Sequence, residues 1–295
     1  MASTPRPTPT PYDTDKYPKT LKVFLDHCGQ RRCKSAFIQD ILPNILSSIG
    51  NGKSQLNVIG VGSGAGDVDV EMLTQLHLKH PWARLDYETV EPSRHQLRKF
   101  RETVNQNSHF DFVKFTWNEM TDTEFEEHWK QKNITKKVDF IHMVEMLYYV
   151  KDPEAAINFF HSLLDKNGKL LIILADEVCS QVRVSKVVQG QLCQEYHPSS
   201  ALSIEVIKSL LDARGVVYES YQLLSTVDIT DCFTEGHETG ELLLDFLTKV
   251  QDFSKRASPE LRREVMTVLR DCSVEKDGRV MANDSHSVLI INALD

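Results

Sequence analysis

The stretch QLNVIGVGSGAGDVDVEML, residues 55–73, decides the fold class. It opens as an apolar run of the kind a strand shows when a sheet buries it on both faces. Glycines at 60, 62, 64 and 66 mark a turn, and helical spacing begins at Asp67. Strand, glycine-rich turn and helix in immediate succession are the opening unit of a doubly wound α/β sheet.

The same rhythm continues outward from this unit. Strands are expected at 83–91, 111–117, 137–144 and 168–174, with helices at 66–80, 92–106, 121–132 and 152–164. Asp152 caps the last of these helices, and Pro153 fills its first turn. A helix at 203–214 and strands at 216–224 and 287–294 extend the sheet. Strands that read as near-continuous apolar runs, alternating with helices, imply a parallel sheet covered on both faces. The right-handed crossover rule then gives a Rossmann-like sheet of about seven strands.

Other segments break the rhythm. Residues 1–12 are rich in Pro and Thr and read as a mobile tail, and 13–50 carry helical spacing as an N-terminal cap. Residues 51–175 form the core. The remainder, 176–295, adds the last sheet strands with cap insertions at about 176–200, polar and irregular, and 225–275, mostly helical. Ligands of such folds sit beyond the carboxyl ends of the strands, which is where these pieces are expected.

Composition narrows the function classes. The chain has 295 residues, 41% of them hydrophobic, which excludes global disorder. A net charge of −8 gives no footprint for nucleic acid or an anionic membrane. No apolar run reaches the roughly 18 residues of a membrane span, and the N-terminus lacks the apolar core of a secretory signal. The six cysteines include no CxxC pair and read as free thiols in a reducing cytosol. The histidines show no metal-ligand spacing, so no metal is expected. His142, inside a strand, reads as structural. Monomer is the default state.

The glycine turn and an acidic partner define the cofactor. Glu91 ends the second strand in ETVEPS, where a carboxylate accepts both hydroxyls of a ribose. A pyrophosphate dinucleotide would use the helix N-terminus as its anion site, but Asp67 stands there and would repel it. A ligand with a sulfonium and an amino group fits better, which describes S-adenosylmethionine. A dehydrogenase is the alternative.

One further segment points to a family. DFIHMVEMLYYVKDPEA sets one carboxylate, Glu145, in an apolar strand end, where a charge needs a partner or a task. Together with GVGSGAGD, VEPSRHQL, FFHSLL and LLSTVDITDCF, it resembles the histamine N-methyltransferase family over about residues 12–292. The likeness is strong at 56–67, 88–97, 139–164 and 221–247 and faint at 176–200. The resemblance implies methyl transfer from S-adenosylmethionine to an imidazole nitrogen, by a methyltransferase sheet and a smaller helical substrate-binding cap. It implies cofactor contacts at Gly62, Gly64, Gly66, Glu91, Gln96 and Val144, with Asp122 near the adenine.

Some of the substrate positions depart from the family pattern. The family glutamate that holds the amine of histamine aligns with Gln30, and its strand-four glutamine with Glu145. Its C-terminal asparagine aligns with Asp284, or with Asn283 after a one-residue shift. Tyr148 and Phe246 keep aromatic walls, while the family's tryptophan-rich stretch has no counterpart in DEVCSQVRVSKVVQGQ. Arg183 and Lys186 in that region either meet a carboxylate or are solvated. These changes favour a larger, zwitterionic imidazole, as in the carnosine N-methyltransferase branch, which makes anserine. Histamine is the alternative, and a catalytically silent cofactor-binding protein the third reading. Glu145 or Asp284 is expected to accept from the far ring N–H and take up its proton, with Tyr148 and Phe246 flanking the ring.

Overall fold

The glycine turn lies where the strand order of the main sheet reverses. The computed structural model describes residues 16–191 and 201–294. Its strands are β1 (Gln55–Val61), β2 (Arg84–Val90), β3 (Val113–Asn118), β4 (Val138–Val144), β5 (Leu164–Ala175), β6 (Tyr218–Leu223), β7 (Thr226–Asp228), β8 (Ser273–Lys276), β9 (Arg279–Asn283) and β10 (His286–Asn292). The first helices are α1 (Lys16–His27), α2 (Gln30–Asp40), α3 (Leu42–Leu46), α4 (Asp67–Lys79), α5 (Arg94–Asn105) and α6 (Asp122–Gln131). They are followed by α7 (Pro153–Ser162), α8 (Ser180–Gln191), α9 (Ile204–Ala213), α10 (Glu238–Thr248), α11 (Phe253–Arg256) and α12 (Pro259–Asp271).

The chain divides into two compact units. One takes the described residues of 34–174, 207–221 and 288–295. It holds nearly all of a seven-stranded sheet of order β3-β2-β1-β4-β5-β10-β6. The pairings β3/β2, β2/β1, β1/β4 and β4/β5 are parallel. This is the expected doubly wound sheet. Its order turns at β1, whose neighbours are β2 on one side and β4 on the other, so the carboxyl ends of β1 and β4 flank the topological switch point. Val58, Ile59 and Val61 of β1 are fully buried, as are Phe140, Ile141 and Met143 of β4. Burial on both faces is why these strands read as continuous apolar runs. Asp152 accepts from the Ala155 N–H at 3.0 Å and caps α7.

The other unit takes the described residues up to Cys33, with 175–206 and 222–287. Phe24 of α1, Val184 and Val188 of α8, Leu243 and Leu247 of α10, and Val265 and Leu269 of α12 form its core. This unit departs from the sequence reading in two places. Residues 180–191, read as irregular, are helical. Valine and serine are weak helix formers, but Val184 and Val188, one turn apart, are fully buried in the core shared with α10 and α12, and packing overrides propensity. The segment read as mostly helical also contributes to an antiparallel sheet, β7-β9-β8. Its strands are three to five residues long and β8 is largely exposed, so neither length nor apolar alternation announced them. The stretch read as a tail at 1–12, and residues 192–200 of the segment read as irregular, lie outside the described residues. Among the described residues no helix is long and apolar enough to cross a membrane, and no group of His, Cys, Asp and Glu could hold a metal ion.

Candidate functional site

The residues singled out in the sequence fall into two sets, one in each unit. In the sheet unit, Gly62, Gly64, Gly66, Glu91, Gln96, Asp122, Val144, Glu145 and Tyr148 all lie at or just beyond the carboxyl ends of β1 to β4. In the other unit lie Gln30, Phe246, Asn283 and Asp284.

The glycine loop is built by contacts from below and held by a carboxylate from the side. Gly62 has φ +70°, and a Cβ there would stand 2.4 Å from Cβ of Met146, so the chain leaving β4 crosses directly over it. A Cβ on Gly66 would enter the Phe100 ring of α5 at 2.1 Å. Gly64 differs: it has φ +55°, and a Cβ there would meet nothing within 4 Å, so its backbone has an open face.

The Gly64 N–H donates to Glu91 Oε2 at 2.9 Å, and the Ser93 N–H donates to Glu91 Oε1 at 2.8 Å. The buried Glu91 thereby ties the loop after β1 to the loop after β2. Burial pushes its carboxyl up, and the two backbone hydrogen bonds oppose the rise. An ionised carboxylate offers about four acceptor positions, so two backbone donors leave capacity for the two hydroxyls of a ribose. An open glycine backbone beside such a carboxylate fits S-adenosylmethionine. Gln96 is half-buried in the first turn of α5, which Ser93 caps. Asp122 opens α6, and burial raises its carboxyl above the usual range. Val144 is the half-buried end of β4.

Glu145 has the partner that a charge in this position requires. Its carboxylate accepts from Lys34 Nζ at 2.8 Å, and Lys34 is almost wholly buried. The two are 111 residues apart, and the sequence reading missed the pair. Glu145 adopts φ +51°, left-handed backbone that a non-glycine residue enters at a cost, while its N–H still donates to Ile173 O at 2.9 Å. The chain thus turns sharply on leaving β4. Tyr148 follows in a short 3-10 turn, buried, edge-on to Tyr149 at 6.4 Å.

In the other unit, Gln30 and Asp284 are in direct contact. Gln30 Nε2 donates to Asp284 Oδ1 at 3.0 Å, and both side chains are buried. Ser225 Oγ donates to Asp284 Oδ2 at 3.3 Å. Gln30 Nε2 also lies 3.4 Å from His286 Nε2, and His286 Nδ1 lies 2.9 Å from Asp284 O. One tautomer satisfies all of these: Nδ1–H donates to the carbonyl, and Nε2 accepts from the amide. Both hydrogens of the Gln30 amide are then committed. Asn283 accepts from the Ser285 N–H at 3.0 Å and holds the turn after β9. Of the adjacent pair, Asp284 is therefore the residue beside Gln30.

Phe246 stacks on Phe24 at 4.4 Å, with Tyr17 at 6.3 Å, so one of its faces belongs to the core. Lys186 pairs with Glu177 at 2.6 Å, both side chains largely exposed. Arg183 lies within electrostatic reach of Cys272.

Comparison with known proteins gives the family and the fold. A family model described as a methyltransferase domain matches residues 27–221. The histamine N-methyltransferase of Danio rerio is 51% identical over 281 residues, covering 95% of this chain and 96% of that protein. The histamine N-methyltransferase of Bos taurus is 38% identical over 288 residues, covering 95% and 97%. Among solved structures, the YcgJ protein of Bacillus subtilis superposes with a TM-score of 0.51 at 10% identity, covering 85% of this chain and 97% of that one. A Bacillus halodurans protein gives 0.51 at 14% identity, covering 86% and 99%. At such identities these two share the fold alone.

Proposed function

The chain belongs to the histamine N-methyltransferase family of class I S-adenosylmethionine-dependent methyltransferases, and from that premise we propose that its methyl acceptor is the imidazole ring of a small amine, histamine first. The observation that carries this reading is the Gln30–Asp284 contact at 3.0 Å. Taken singly, Gln30 costs the site the carboxylate with which the family holds an ammonium. Taken as a pair, Gln30 and Asp284 are the family's glutamate and asparagine with acid and amide exchanged. The negative charge has moved across one hydrogen bond and is still there. This revises the preference for a larger zwitterion, for which the change at position 30 was the main ground and the missing tryptophans a further one.

S-adenosylmethionine supplies a methyl group on a sulfonium, open to in-line displacement. Glu91 and the loop at 62–66 are assigned to hold it, with Gln96, Asp122 and Val144 completing the contacts. Asp284, oriented by Gln30 and Ser225, is assigned to the substrate's ammonium. Glu145, held in one orientation by Lys34, is assigned to the ring N–H that does not react. Its carboxylate fixes the tautomer that leaves a lone pair on the attacking nitrogen and takes up the proton as the ring becomes cationic. Imidazole is largely unprotonated at neutral pH, so the lone pair needs no further base. Tyr148 and Phe246 are the aromatic residues assigned to the ring.

An imidazole dipeptide such as carnosine is the second reading. It is favoured by one observation: residues 176–191, where the family carries tryptophans, contain none.

The exchange is tested by moving the charge back. Asp284→Asn removes a charge-assisted partner worth roughly 1.5–3 kcal/mol and should raise the histamine KM at least about tenfold. Adding Gln30→Glu to it should restore KM to within about threefold. Unchanged KM in Asp284→Asn, or no recovery in the double variant, contradicts the assignment.

A further inference from the structure

Beneath the glycine loop lies a buried polar cluster that the contacts proposed above do not use. Tyr87 of β2 points its hydroxyl at Asp69 Oδ1 of α4, within hydrogen-bonding distance. Ser63 Oγ of the loop lies 3.2 Å from the same hydroxyl. His142 Nε2 of β4 lies 3.5 Å from it and 3.7 Å from Asp69 Oδ1, with its ring nearly parallel to that of Tyr87. Tyr87, Asp69 and His142 are all fully or almost fully buried.

The sequence makes room for this cluster at one position. A Cβ on Gly60 would stand 1.9 Å from the Tyr87 hydroxyl and 2.7 Å from both Asp69 Oδ1 and Ser63 Oγ. Any other residue at 60 would expel the three groups that meet there. The glycine within β1 is thus explained by side chains converging on it from two other elements and the loop.

Burial and the Asp69 carboxylate push the Tyr87 phenol well up, so it stays protonated and donates to Asp69. Burial lowers the His142 imidazole, against the pull of Asp69, so it is neutral at pH 7. The tautomer protonated at Nε2 donates towards the phenolic oxygen, whose other lone pair faces the Ser63 hydroxyl, itself also 3.2 Å from Gly60 O. Each member is oriented by the others, and a satisfied buried network of this kind rigidifies what it touches. What it touches is the loop. Ser63 lies between Gly62, whose N–H donates to Val90 O at 2.7 Å, and Gly64, whose N–H donates to Glu91. Asp69 sits in the first turn of α4, directly after the loop.

We propose that Tyr87, Asp69 and His142 form a positioning network that holds Ser63 and the glycine loop in the conformation that binds S-adenosylmethionine. The proposal rests on the reading of that loop as the cofactor cradle. None of the three is a catalytic residue; they act through Ser63 and the loop.

The test is calorimetric titration of the full chain with S-adenosylmethionine, together with steady-state kinetics. The parent should bind, and Glu91→Ala should weaken binding; a parent that does not bind overturns the cradle reading itself. Tyr87→Phe, which keeps the ring and deletes the donor, should weaken binding about tenfold. Ser63→Ala, which removes the link from network to loop together with the Ser63 Oγ–Gly60 O hydrogen bond at 3.2 Å, should weaken it about threefold. In Tyr87→Phe kcat at saturating cofactor and KM for histamine should stay within about twofold of the parent. A merely structural role would lower the thermal midpoint and leave the cofactor KM unmoved. Parent-like cofactor affinity in Ser63→Ala and Tyr87→Phe, with Glu91→Ala weakened, overturns the network while leaving the cradle standing.

Discussion

Glu145 shows how much a single residue can reveal and withhold. A carboxylate in an apolar strand end announced that something must meet it. The sequence could not say that the partner is Lys34, because a pairing across 111 residues leaves no local pattern. Nor could it say that the residue takes left-handed backbone, a departure that costs of order 1–3 kcal/mol and marks places where function constrains the chain. Gln30 and Asp284, lying 254 residues apart, were each legible as departures from a family pattern. That the two touch was legible only in the structure. Glu91, by contrast, was plain, because its place after the second strand follows from the order of elements. Its burial sets a pH dependence. In the role proposed for it the ionised form accepts ribose hydroxyls, and burial raises the carboxyl above the ordinary value of 4.5. Protonation therefore begins at higher pH than for an exposed glutamate, and affinity for S-adenosylmethionine should fall as pH drops through that raised midpoint. Glu91→Gln should bind more weakly at neutral pH and lose this part of the acid dependence. Equal acid sensitivity in parent and variant would contradict the assignment.

At the scale of elements, the central strands were read almost to the residue, and the outer unit was not. The difference is physical. β1 and β4 are buried on both faces, so hydrophobicity alone specifies them. α8 is a helix because of what it packs against, and β7, β8 and β9 pair through strands too short and polar to carry a period. The loop between β1 and α4 depends on one close crossing. Gly62→Ala places a methyl against Met146 in left-handed backbone. The backbone should cost about 1–2 kcal/mol, and the overpacking about 1–3 kcal/mol more. A urea midpoint lowered to match, with weakened cofactor binding, is the expected result. An unchanged midpoint would mean that the crossing is looser than it stands.

For the whole molecule, one unit carries the cofactor residues on a sheet whose strand order reverses at β1, and the other carries the Gln30–Asp284 pair. The acidic balance of the chain suits cationic acceptors, and the family supplies the chemistry. The most direct measurement of the central claim is methyl transfer itself. The full chain is incubated with labelled S-adenosylmethionine and, separately, histamine, carnosine, homocarnosine and histidine, and the labelled product is located on the acceptor. Label is expected on an imidazole nitrogen, with kcat/KM highest for histamine. A preference for carnosine would contradict the reading of the Gln30–Asp284 pair and favour the second substrate. Cofactor binding without label on any imidazole would contradict the proposed function.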